Sequence, residues 1–302
     1  MLESLQPLFE HFDPIPYAIP FFLVTFILEY WILTHQKHEP YDVKDGAASV
    51  TMGVGSIFTT LAAKSVAYLI FMYIYDNYRL FDLSPTTWWF WVLLALGDDF
   101  SFYWHHRLSH EVRLLWAAHV NHHSSQQYNL ATALRQSWTE EIYKFAFWVW
   151  LPLLGFHPLM IFVQMSFSLI YQYWIHTTLI NRLPRPIEFI FNTPSHHRVH
   201  HASNVRYLDK NYAGILIIWD RFFGTFGPEL DKEPVIYGIT TNIHTYNPLK
   251  IASHEFIALF KDFHKARTWR DAFNYLVQPP GWSPDGSTKT AKVLQRELKE
   301  LS

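Results

Sequence analysis

Three histidine clusters fall within about a hundred residues of one another, and their spacing suits metal chemistry. They are His105-His106-Arg107-Leu108-Ser109-His110, His119-Val120-Asn121-His122-His123 and His196-His197-Arg198-Val199-His200-His201. On a helix, positions i, i+3 and i+4 share a face. His106 and His110 therefore pair, and His119, His122 and His123 form a triad, as do His197, His200 and His201. Eight imidazoles on three helical faces exceed what one tetrahedral zinc ion takes, and they suffice for two ions. The chain has no cysteine, so thiolate sites are excluded. Imidazole suits iron, zinc, copper and nickel, and spacing alone does not choose among them.

Other residues around the clusters are candidates for supporting roles. Asp99 precedes His106 by two helical turns on the same face, and Asp98 adjoins it. Either could accept the second N–H of a ligand histidine. Asp99 and Glu111, which follows His110, are the candidate catalytic acids. His105 and His196 abut ligands but point about 100° away around a helix, which makes them supporting candidates. His176 ends an apolar run at a suitable depth and is a candidate ninth ligand. Two rivals fit less well. A zinc hydrolase of the HExxH type needs a second histidine, which His110-Glu111 and His254-Glu255 lack, and there is no Gly-x-Ser-x-Gly elbow. A metal transporter would place its site near the bilayer midplane, whereas these clusters follow the apolar runs. A metal-dependent membrane hydrolase or a metal-binding protein remains the alternative from another class.

The elements that must position these groups are apolar. Half of the 302 residues are hydrophobic and 18% are aromatic. Ile15 to Thr34 carries only Glu29 as a charge, and Met52 to Tyr75 only Lys64. Thr86 to Trp104 carries Asp98 and Asp99, and residues 142–175 are long enough for a helical hairpin. About 20 apolar residues span a bilayer, so the expectation is an all-α, polytopic membrane protein of four to five transmembrane helices. A soluble bundle with buried helices is the competing reading. Trp and Tyr gather at the run ends (Tyr30, Trp31, Trp88, Trp89, Tyr173, Trp174), as an interfacial belt would have them. The opening Glu3, Glu10 and Asp13 do not suit a cleavable signal peptide.

Charge gives an orientation. Residues 1–104 hold 4 Lys/Arg against 11 Asp/Glu, and residues 105–302 hold 20 against 15. Lys37 and Lys44 lie between the first two runs, and no basic residue precedes the first. The positive-inside rule then places the N-terminus outside and every histidine cluster on the cytoplasmic face. The chain divides into an N-terminal transmembrane region (1–97), a catalytic domain (98–226, including the hairpin 142–175) and a cytoplasmic extension (227–302). No basic stripe with stacking aromatics points to nucleic acid. Redox metals at a membrane face favour oxygen chemistry on a lipid, with the metal carrying the hard step.

The boxes and their flanks resemble the fatty acid hydroxylase superfamily, also called the sterol desaturase family. The likeness covers roughly residues 98–286. It rests on Tyr103-Trp104-His105-His106 through Glu111, Trp116-Ala117-Ala118-His119 through Ser125, Asn129-Leu130, Thr132 through Ser137, Gln172 through Thr177, Asn192 through His201, Asp209 through Tyr212 and Ile217 through Phe226. The resemblance implies a membrane-bound non-haem di-iron enzyme with two Fe ions that oxidises a lipid with O2. Within the family the run is most similar to ether-lipid hydroxylases. That implies hydroxylation beside an ether oxygen, cleavage to a fatty aldehyde, and an electron donor that is tetrahydrobiopterin or a redox protein. A sterol or fatty acyl hydroxylase or desaturase is the alternative within the family. The chain departs from the family pattern at Gln126-Gln127, where acids are usual, and at Ala202, where glycine is usual.

Overall fold

The structure is a computed structural model that describes residues 13–38 and 40–301. Glu3, Glu10 and His11, and with them most of the signal-peptide expectation, lie outside the described residues. Every regular element among those residues is helical. The all-α expectation is met.

Helix α1 (Ile15–Trp31) continues through a π-turn, Ile32–Gln36. Helix α2 (Val43–Tyr78) begins at Asp42, whose side chain accepts from the backbone N–H of Lys44 and Asp45, a carboxylate N-cap. At 36 residues it is about 54 Å long. Both are long and apolar enough to cross a membrane. Both also turn large apolar side chains outward, among them Phe21, Leu23 and Ile27 on α1 and Val54, Phe58 and Leu61 on α2. A continuous apolar exterior of this extent needs a nonaqueous cover.

The third and fourth apolar runs behave differently. Helix α3 (Trp88–Glu111) runs straight through Asp98 and Asp99 into the first histidine pair. The first arm of the expected hairpin is broken into α6 (Glu141–Lys144), a 3-10 turn (Phe145–Trp148) and α7 (Trp150–Leu154). Gly155 then turns the chain with φ at 112°, where a side chain would collide with the Phe81 carbonyl. Only the second arm, α8 (Pro158–Trp174), is a continuous helix. Among the described residues two helices meet the length and apolarity of a span, against an expectation of four to five. Composition alone reads an apolar broken arm and an apolar helix alike.

The core explains the break. Phe71 of α2, Leu94 of α3, Phe145, Trp148 and Leu151 of the arm, and Met160, Ile161 and Phe162 of α8 form one buried cluster. The Trp148 indole N–H donates to Asp98 at 2.7 Å, so the arm is pinned to α3 by a buried polar contact. Short helices then carry the remaining histidines: α4 (Arg113–His123) and α10 (Pro194–His200). Between them lie α5 (Leu130–Ala133) and α9 (Arg185–Ile190), and α11 (Ile218–Phe223) follows. Helices α12 (Pro248–Lys265), α13 (Trp269–Val277) and α14 (Ala291–Leu301) complete the chain. Arg113, at the start of α4, reaches Glu255 at 2.9 Å and Asp262 at 2.8 Å on α12. That pair of contacts fixes the second histidine box against the C-terminal helices.

Candidate metal centre

The turn at Val112 has extended backbone and lets α4 fold back on α3, so the first two boxes face each other. Helix α10 opens with Pro194 at its first position, where the missing N–H costs nothing. His176 enters from the end of α8. Together these elements gather the histidines into two adjoining groups: His106, His110, His119, His123 and His200, and then His122, His176, His197 and His201. Within each group one nitrogen of every ring lies within 4.8 Å of the others. All nine residues are at most 8% exposed.

The ring orientations are set from outside the groups. His106 Nδ1 lies 2.7 Å from the Tyr212 carbonyl, His200 Nδ1 2.9 Å from that of Lys210, and His176 Nδ1 2.7 Å from that of Gln172. His122 Nδ1 lies 3.3 Å from the Arg135 carbonyl. A carbonyl only accepts, so each Nδ1 carries the proton and each Nε2 presents a lone pair. The Nε2 atoms of His176 and His122 then face one another at 3.2 Å. Two lone pairs that close repel unless a cation lies between them. Neighbouring Nε2 separations elsewhere are 2.9–3.3 Å. Two imidazoles sharing one ion at about 2.1 Å from each nitrogen would sit at that spacing. His110 Nε2 and His200 Nε2 are buried without a hydrogen-bond partner. The residues therefore fit metal ions, and the five-plus-four division fits two.

Electrostatics agree. Burial, reinforced by the neighbouring rings, holds His122, His123, His197 and His201 well below the ordinary imidazole range. Burial also brings His176 down to about 4 and His200 to about 3. These rings are neutral at pH 7, the form a metal requires.

The supporting residues differ from the expected ones. Asp98 and Asp99 touch no histidine. Asp98 accepts from Trp148, and Asp99 accepts from the backbone N–H of Ile215 and Leu216 and from the Trp219 indole at 2.7–3.0 Å. Adjacent positions on α3 point about 100° apart, so the two acids anchor segments on either side of it. Glu111 pairs with Arg107 at 3.3 Å and Lys292 at 3.5 Å and is a member of neither group. His196 is held by Glu188 at 2.9 Å, and His105 lies 3.2 Å from Glu140; neither joins a group.

Glu140 takes the part expected of the two aspartates. Its Oε2 lies 3.1 Å from His119 Nδ1 while Oε1 faces His105. Burial pushes its carboxyl up, but the His119 and His105 rings outweigh that and hold it well below the usual range. No local spacing marks it, since it lies 21 residues beyond His119. Asp209 lies 3.7 Å from His110 Nδ1. It belongs to the Asp209–Tyr212 stretch, in which Asp209 and Asn211 both have φ at 56°. That left-handed backbone, tolerated by Asp and Asn, brings two carbonyls of one short segment to His106 and His200.

A second support lies beneath α4. The Arg135 guanidinium is held by Asp45 and Ser49 of α2, so the carbonyl facing His122 is itself fixed. Glu29 of α1 accepts from Leu130 N–H at 2.6 Å and from the Thr177 hydroxyl, beside His176. Of the departures from the family pattern, Gln127 Oε1 accepts from Asp42 N–H at 2.9 Å, and Ala202 bridges to Tyr237. Both changes lie outside the two groups.

Residues 91–225 match the fatty acid hydroxylase family. The chain is 43% identical to the alkylglycerol monooxygenase of Homo sapiens over 99% of its own length and 66% of that protein. Likeness to the alkylglycerol monooxygenase of Caenorhabditis elegans is 35% over 87% of this chain and 54% of that one. The ornithine lipid hydroxylase OlsE of Rhizobium tropici is 31% identical over 51% of this chain and 47% of its own. The chain spans between about half and two thirds of the length of these relatives. No solved structure matches it. The matched segment contains all nine grouped histidines, and the chain belongs to the fatty acid hydroxylase family.

Proposed function

We propose that the protein is a membrane-bound, O2-dependent lipid monooxygenase that cleaves the ether bond of alkylglycerols. The observation that carries this reading is the pair of adjoining all-histidine groups, in a chain 43% identical to an alkylglycerol monooxygenase. Residues 98–226 form the catalytic unit, between the transmembrane region 1–97 and the extension 227–302. His106, His110, His119, His123 and His200 would hold one iron, and His122, His176, His197 and His201 would hold the other. Bound iron would supply the activation of O2, which no side chain of the protein provides.

What the chain contributes follows from its own geometry. Carbonyls and Glu140 hold the rings so that their lone pairs converge, which limits rearrangement on metal binding. Burial keeps water from the groups. Asp99 and Glu111 act away from the reacting atoms, as an anchor and as a surface ion-pair partner. The overall change balances as R–CH2–O–R′ + O2 + 2 H+ + 2 e− giving R–CH(OH)–O–R′ + H2O. The hemiacetal then separates into a fatty aldehyde and glycerol. An ether has no carbonyl for a metal-bound hydroxide to attack, so oxidation of the adjacent carbon is the direct route to cleavage. The two electrons come from an external donor, tetrahydrobiopterin or a redox protein.

The apolar exterior of α1 and α2 supports membrane embedding, and the Lys/Arg distribution supports a cytoplasmic catalytic face. A sterol or fatty acyl hydroxylase is the second reading, favoured by the match to the wider family. Lipid analysis tests between them. Cells expressing the chain aerobically with added alkylglycerol should lose it and accumulate fatty aldehyde or its oxidation product. Unchanged alkylglycerol alongside a hydroxylated sterol or acyl chain would transfer the proposal to the second reading.

A further inference from the structure

Away from the histidines, α2 and the broken arm diverge and leave a groove of about 580 Å³. Its walls include Ala62, Val66 and Ile70 on α2 and Ile142 and Ala146 on the arm. Alanines on both walls leave the space. Ile142 is 82% exposed and Val66 58%, so the groove opens sideways onto the apolar exterior of α2. From Thr59 to Ile70 it follows α2 for about 17 Å, a long narrow shape that suits one extended hydrocarbon chain.

One end of the groove is polar. Trp138 and Glu141 line it. The Trp138 indole is committed to the Met52 carbonyl at 2.9 Å, and Glu141 Oε1 to Lys144 at 3.2 Å. Glu141 Oε2 is buried with no hydrogen-bond partner. A buried carboxylate oxygen without a donor is costly, and an incoming hydroxyl would satisfy it. The preceding Glu140 carries a second negative charge, and the nearby cations are engaged, Lys144 with Glu141 at 3.2 Å and Lys64 with Asp13 at 3.9 Å, so a phosphate head would meet repulsion.

We propose that this groove binds a single-chain lipid with an uncharged, hydroxyl-bearing head, its chain along α2 and a head hydroxyl donating to Glu141. This rests on the lipid-oxygenase reading above and names the surface by which that enzyme takes its substrate from the membrane. Glu141 adjoins Glu140 in the chain, and the Glu140 carboxylate reaches His119 at 3.1 Å.

The test uses the whole chain in neutral phosphatidylcholine nanodiscs and a hexadecylglycerol bearing a terminal diazirine. After irradiation, adducts are mapped by mass spectrometry. Adducts should concentrate on residues 62–70 and 142–149. Unlabelled hexadecylglycerol should compete them away, and lysophosphatidic acid of equal chain length should not. Ala62→Trp and Ala146→Trp, both at exposed groove positions, should lower labelling about tenfold or more, while Leu69→Trp, outside the groove lining, should not. Adducts spread evenly over the outer faces of α1 and α2, or equal competition by lysophosphatidic acid, would overturn the proposal. The map of the unsubstituted protein needs no variant, so a poorly folding Trp variant does not decide the matter. Labelling requires no turnover. Groove adducts without O2-dependent activity would sink the oxygenase reading and leave the groove. Activity with adducts elsewhere would sink the groove alone.

Discussion

His176 and Glu140 show how single residues complete the centre. His176 has no partner at helical spacing, yet its Nε2 lies 3.2 Å from that of His122 and 2.9 Å from that of His197. His176→Ala should therefore behave like His122→Ala or His197→Ala: metal analysis of the purified variants should find iron lost and lipid oxidation abolished. Retention of two irons per chain by His176→Ala would remove it from the ligand set. Glu140→Gln should cost about 10–100-fold in metal affinity or activity, because an amide can still accept from His119 but carries no charge. The direction of pH dependence follows from the depressed imidazoles. An unfolded histidine binds a proton near 6.5, whereas six of the buried rings resist protonation far below that. Below about 6.5 the unfolded chain thus binds more protons, and stability falls with pH. Asp209, raised by burial to about 7, acts in the opposite direction over the same interval. The metal-free protein should melt at a lower temperature at pH 5.5 than at 7.5. A rise in Tm over that interval would contradict the neutral-ring account.

At the scale of elements, α3 is the spine, with an acid aimed to either side. Asp99 gathers three donors from residues 215–219. Removing it in Asp99→Ala leaves three part-buried N–H groups without their acceptor, at up to about 1–3 kcal/mol each. The variant should show a clear drop in thermal unfolding temperature, with histidine substitutions by comparison acting chiefly on metal content. Unchanged stability with lost turnover would return Asp99 to a catalytic role. The ligand pairs on α3, α4 and α10 were legible in the sequence because they repeat within one helix, where 3.6-residue periodicity is local. Their outer partners were not. The Tyr212 carbonyl reaches His106 across 106 residues, and the Arg135 carbonyl reaches His122 across 13. Backbone acceptors carry no side-chain signature, and acids at such separations are set by packing. The break in the 142–154 arm is invisible in the sequence for a related reason. Its apolar composition suits a helix, but Trp148 turns inward to Asp98 and Gly155 closes the turn.

At the scale of the whole molecule, the apolar exterior of α1 and α2 is the surface proposed to meet the membrane. The orientation proposed from the Lys/Arg asymmetry has the region around Ser203 in the cytoplasm. The chain contains no cysteine, so one cysteine introduced at Ser203 can be read without background. It should be shielded from an impermeant thiol reagent in intact cells and react after permeabilisation; reaction in intact cells would reverse the orientation. The central proposal, that the protein with irons held by its histidines would oxidise the carbon beside an ether oxygen, meets its most direct test in isotope tracing. Purified, iron-loaded protein is given an alkylglycerol and a reductant under 18O2, and the aldehyde is reduced at once to its alcohol to prevent exchange with water. When the hemiacetal separates, the aldehyde keeps the inserted oxygen and glycerol keeps the ether oxygen. The account predicts one 18O atom in the fatty alcohol, none in the glycerol, and no product without O2. Product formed anaerobically, or labelled from H218O instead of 18O2, would contradict it.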